Sequence, residues 1–87
     1  MNEVISKAAA ISDAAAAFFE NPDFKGKLSG KGTYSIVSMM LRDYPEESIN
    51  LICAYHNVSR DAIEEDPKAV FDMMATAVSG TTSVFSR

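Results

Sequence analysis

The sequence predicts an all-α fold: a small bundle of about four helices, with a Gly/Lys-rich loop between the first and the second. Three observations carry this. The first twenty residues are dominated by alanine with apolar side chains at helical spacing, and alanine is the best helix former. Proline punctuates the chain at Asn21-Pro22, Tyr44-Pro45 and Asp66-Pro67, where it closes one helix or opens the next. No stretch alternates polar and apolar residues with period two over a useful length, so no sheet is expected. The chain has 87 residues and reads as a single helical domain, 1–87, without internal repeats.

The first helix is expected over 2–20. Val4, Ala8, Ile11, Ala15 and Phe18 are spaced 4, 3, 4, 3, as in a heptad seam, with Ile5, Ala9, Ala16 and Phe19 widening it. Glu3, Lys7, Asp13 and Glu20 mark a narrow wet face. A helix apolar around most of its girth is usually buried or bound to something. The seam is too short for a freestanding coiled coil, so it should pack on its own domain or on a second copy, which makes a homo-oligomer an expectation.

Residues 21–33 hold all but one of the glycines and three lysines, and are expected to be a loop pinned by Phe24 and Leu28. A second helix is expected over 35–43 and a third over 46–57. Pro45 suits the third helix's first turn, and Glu46 and Glu47 complement its dipole. Asn57-Val58-Ser59 reads as a turn, with Ser59 capping a short acidic segment, Arg60 to Glu65. Asp66 as N-cap and Pro67 as first helical residue start a last helix over 67–78, with Gly80 just past its end. The tail, 79–87, shows no helical period, and Val84 and Phe85 are its apolar residues.

Composition excludes several functions. The single Cys53 allows no disulfide framework and fits a reducing compartment. No run approaches the roughly 20 apolar residues that cross a bilayer, and Met1-Asn2-Glu3 lacks the basic start of a signal peptide; a cytoplasmic protein without membrane contact is expected. Net charge is −4, so direct nucleic-acid binding is not expected. The charge is segregated: four basic residues and no acid from Lys25 to Arg42, then eight acids against Arg60 and Lys68 from Asp43 to Asp72. The acids serve solubility, or form a face that meets a basic partner segment or mimics a phosphate backbone.

Motifs for chemistry are sparse. Gly26 to Thr33 contains Gly30-Lys31, but three residues separate Gly26 from Gly30 and Gly32 follows the lysine, so it is not a phosphate loop. Cys53 and His56 share a helical face but lack the further ligands of a zinc site and the orienting group and oxyanion hole of a thiol nucleophile. The carboxylates at Glu46-Glu47 and Glu64-Glu65-Asp66 read as solvated helix caps. No catalytic, cofactor-binding or metal-binding residue is therefore expected, and the protein is not expected to be an enzyme. Met39, Met40, Met73 and Met74 form two doublets on two helices; methionine fills irregular cores and also makes adaptable contact surfaces. Candidate partner-binding residues are Val4, Ile11, Phe18, Phe19, Met39, Met40, Met73, Met74, Val84 and Phe85.

From Tyr34 onward the order of elements carries a resemblance. Tyr34-Ser35-Ile36-Val37-Ser38-Met39-Met40-Leu41 leads into Glu46-Glu47-Ser48-Ile49-Asn50-Leu51-Ile52-Cys53-Ala54-Tyr55, then the turn Asn57-Val58-Ser59, the acidic stretch Asp61 to Asp66 and an apolar closing helix. Over residues 34–87 this resembles the tail assembly chaperones of long-tailed bacteriophages. The resemblance implies a small acidic helical protein in the host cytoplasm that coats the apolar tape measure protein, keeps it soluble and helps recruit tail tube protein. An alternative from the charge pattern is a small acidic phage inhibitor of a host defence protein, acting as a nucleic-acid mimic.

Overall fold

A computed structural model describes the backbone of residues 1–85 apart from Glu64, and the side chains of residues 1–82 apart from Glu64. The chain folds into α1 (Asn2–Phe19), α2 (Pro22–Lys27), α3 (Thr33–Asp43), α4 (Pro45–His56) and α5 (Pro67–Phe85), with a 3-10 turn at Arg60–Ala62. Among the described residues there is no strand, and the expected all-α bundle is what forms. The core is built from Ala15, Phe18, Phe24, Val37, Met39, Met40, Leu51, Ile52, Met74, Ala77 and Val78. α4 is the central element, packing against α1, α3 and α5.

Two expectations about element boundaries need correction. The loop expected over 21–33 contains a six-residue helix, α2. Asn21 caps it by accepting from the backbone N–H of Asp23 at 2.9 Å, and Pro22 stands in its first turn. The helix exists because Phe24 is fully buried. Its ring meets Phe18 at 5.3 Å, Phe19 at 5.8 Å and Tyr44 at 5.8 Å, all edge to face. Such pairs add about 0.5–1.5 kcal/mol each beyond the area they bury. Between α2 and α3 loop structure runs only from Leu28 to Gly32, where Gly30 takes a φ of 75° that glycine adopts without steric cost.

The last helix does not stop near Val78. It continues through Gly80 to Phe85, so residues 79–85 of the expected tail are helical. Gly80 is not a terminator. A Cβ at this position would collide with the Tyr55 hydroxyl and the ring carbon that bears it, so glycine makes room for the Tyr55 side chain between α4 and α5. Thr81, buried, returns its hydroxyl to the Ala77 carbonyl at 2.8 Å, which satisfies that hydroxyl within the helix.

The remaining joints follow the sequence. Tyr44 closes α3, its N–H donating to the Met40 carbonyl at 2.9 Å. The buried Ser48 hydroxyl donates to the same carbonyl at 2.8 Å and fixes the angle between α3 and α4. Asn57 ends α4 in the left-handed region at φ 56°, a conformation asparagine tolerates. Asp66 accepts from the N–H of Lys68 at 3.3 Å at the start of α5. Ser59, expected to cap the acidic segment, makes no side-chain cap; Arg60–Ala62 is instead held by the ion pair of Arg60 with Glu46 at 3.1 Å.

Candidate functional site: an exposed helix end and the surfaces around it

Alanine propensity carries α1 past the body of the protein. Every residue from Met1 to Ala10 is exposed, Ile11 and Ala14 are half-buried, and burial begins in earnest at Ala15. The projecting part keeps its helix through propensity, through the Lys7–Glu3 ion pair at 3.2 Å, and by continuity with the packed half. It is apolar nonetheless: Met1 is 89%, Val4 63% and Ile5 61% exposed. The radius of gyration, 12.7 Å, slightly exceeds the about 12 Å of a spherical domain this long, consistent with one protruding element. The heptad seam is thus divided. Its second half, Ala15 and Phe18, is core; its first half, Val4 and Ala8, is exposed and has no counterpart among the described residues.

The other candidate partner residues separate by burial. Phe18, Met40 and Met74 are fully buried and Met39 nearly so, which spends their surface on the domain's own packing. Phe19 and Met73 are half-buried against that core. The methionine doublets therefore fill the interior, with only Met73 reaching the surface. Val84 and Phe85 lie on the last turn of α5, and their side chains fall outside the described residues.

Cys53 and His56 are part of the α4–α5 joint. The His56 ring Nε2–H donates to the Met73 carbonyl at 2.8 Å, which fixes the ring's tautomer and turns it towards α5. Tyr55 packs edge-on against the same imidazole at 5.3 Å. Cys53 is a half-buried free thiol. Among the described residues, no group of three or more His, Cys, Asp or Glu side chains could hold a metal ion, and no helix is long and apolar enough to cross a membrane.

The basic segment gathers on one side. Lys27, Lys31 and Arg42 line a cavity of about 520 Å³ together with Tyr34, Ser35, Ser38 and Asp43. Its cations are partly engaged: Lys27 with Asp23 at 3.4 Å and Asp43 at 3.7 Å, Arg42 with the Ser38 hydroxyl at 2.8 Å. Tyr44 donates its hydroxyl to Asp23. That bond, with Lys27 alongside, holds the Asp23 carboxyl below its ordinary range, and donating it to the carboxylate raises the Tyr44 phenol above its own.

A further surface was not visible in the sequence. Leu41, Pro45, Ile49, Pro67 and Val70 come from three helices and line a shallow apolar concavity with Glu65 and Asp66 at its edge. None points to a surface in its own segment, and only the packing of α3, α4 and α5 brings them together. No family profile, no characterised protein and no solved structure matches this chain.

Proposed function

We propose that this protein works by binding another protein and makes or breaks no covalent bond itself, and that it is a bacteriophage tail assembly chaperone acting in the host cytoplasm on the tape measure protein and the tail tube protein. The observation that carries the reading is the bare apolar end of α1. Burying a Val or Ile side chain is worth about 1.5–3 kcal/mol, and here Val4 and Ile5 stand in water beside a continuous alanine stripe that lets a partner helix approach closely. The acidic surface keeps such a complex dispersed. The resemblance of residues 34–87 to tail assembly chaperones supplies the biological role.

Co-expression with a tape measure fragment tests it. Wild type should keep the fragment soluble, and a Val4→Asp, Ile5→Asp variant should not. A fragment equally insoluble with and without the protein ends this reading. The alternative, an acidic inhibitor of a host defence protein, draws on the exposed carboxylates Asp61, Glu65 and Asp66. Charge reversal at Glu64, Glu65 and Asp66 should abolish mimicry of nucleic acid and leave binding through the apolar end of α1 only weakened.

A further inference from the structure

The α4–α5 side of the molecule carries a second apolar surface, chemically unlike the end of α1. Beside the concavity of about 480 Å³ that holds Leu41, Pro45 and Pro67 lies another of about 410 Å³ lined by Ile52 and Ile63; Ile49, Glu65 and Val70 belong to both. The two therefore form one groove. Its floor is aliphatic, with Leu41, Ile49, Ile63 and Val70 each only half-buried. Its rim is acidic: Asp61, Glu65 and Asp66 are exposed along it. The cation among its described lining residues, Arg60, is already held by Glu46 at 3.1 Å and does not offset the rim.

We propose that this groove seats the apolar stripe of an amphipathic helix whose flanking positions carry lysine or arginine. The inference rests on the protein-binding reading above and adds the chemistry of the partner. An aliphatic floor alone would accept any greasy helix. The rim discriminates, because a partner carrying acids beside its stripe would set like charges against Asp61, Glu65 and Asp66, and a basic partner would meet opposite ones. Fit of this kind is read as anchors at i, i+3, i+4 and i+7 on the bound helix. The eight acids from Asp43 to Asp72 thus acquire a local purpose: three of them edge an apolar trough.

The test uses the full chain and two synthetic helical peptides with the same leucine stripe, one with lysine at every flanking position and one with glutamate. Titrations followed by fluorescence anisotropy and by methyl NMR should show the lysine peptide binding at least about tenfold tighter, with the largest shifts at Ile49, Ile63 and Val70. An Asp61→Lys, Glu65→Lys variant should lose at least about tenfold in affinity for it. A Glu3→Lys, Asp13→Lys variant, with the same change in net charge, should lose less than about threefold. Both pairs are exposed, and circular dichroism checks that each variant keeps wild-type helicity. Equal losses in the two variants, equal binding of the two peptides, or shifts confined to the end of α1 would each overturn the proposal. So would light scattering that shows a second copy filling the groove, as a dimer that the Asp61→Lys, Glu65→Lys change dissociates. The lysine peptide seating here while a tape measure fragment stays insoluble would keep the groove and remove the tail-assembly reading. A fragment solubilised as well by the Asp61→Lys, Glu65→Lys variant as by wild type, with peptide shifts absent from Ile49 and Val70, would do the reverse.

Discussion

The two halves of α1 are both rich in alanine and have opposite surroundings. Asn2 to Ala10 meets solvent on every side, and Ile11 to Phe19 turns one face into the core. Both halves carry alanine and both continue one heptad seam. What separates them is the partner surface: α4 packs along the second half, and α2 folds back so that Phe24 closes over Phe18 and Phe19. Periodicity specifies which face of a helix is apolar, and other elements decide whether that face is covered. The uncovered half costs the fold little and leaves apolar surface available for another molecule.

The comparison can be broken most directly at Phe18. Phe18→Ala should cost about 3–5 kcal/mol of stability, because a fully buried ring leaves a cavity in the aromatic cluster; urea denaturation followed by circular dichroism measures it. A loss below about 1 kcal/mol would mean that the second half is not sealed. Paired glycine substitutions come next. Ala16→Gly, in the packed half, should lower global stability by about 1 kcal/mol. Ala9→Gly, in the bare half, should reduce helicity at the N-terminal end and accelerate amide exchange there, with the midpoint of global unfolding unmoved.

A smaller effect concerns the polar clasp at the edge of the sealed half. The Asp23 carboxyl titrates lower in the folded chain than in the unfolded one, so its contribution is present above about pH 4 and is lost as pH falls through the folded value. The Tyr44 phenol titrates higher when folded, so its contribution is present below about pH 10 and is lost as pH rises through the folded value. Tyr44→Phe should therefore narrow the gap from wild type at both ends of the pH range and leave a constant difference between them, shrinking with added salt. Melting curves from pH 3 to 11, an interval of roughly one unit beyond each ordinary pKa, would show it. The smallest effect belongs to the bare half itself. Val4→Ser with Ile5→Ser should leave stability within about 0.5 kcal/mol of wild type.

Much of this fold was legible in the residues. Pro45 and Asp66-Pro67 mark the starts of α4 and α5, and Asn57 marks the end of α4. The misreadings share a cause. Asn21-Pro22-Asp23 carries the same cap-and-proline signature as Asp66-Pro67, but the glycines and lysines after it suggested a loop, and only the burial of Phe24 makes a helix of it. Gly80 reads locally as a stop, whereas its reason lies 25 positions earlier, in the Tyr55 side chain. The seam of α1 and the apolar residues of the methionine doublets were visible, but burial assigns them between core and surface, and burial is a property of the assembled helices. For the same reason the acidic-edged groove could not be read from any one segment: Leu41, Ile49, Ile63 and Val70 belong to four different stretches of chain.

α1 is a single uninterrupted rod from Asn2 to Phe19, with neither proline nor glycine to bend it. While the helix is intact, its exposed end and its anchored end are therefore mechanically coupled. A molecule that grips Val4 and Ile5 also levers Phe18 within the aromatic cluster, so loading at the tip should register as tightening or loosening some four turns away, a distance of about 20 Å.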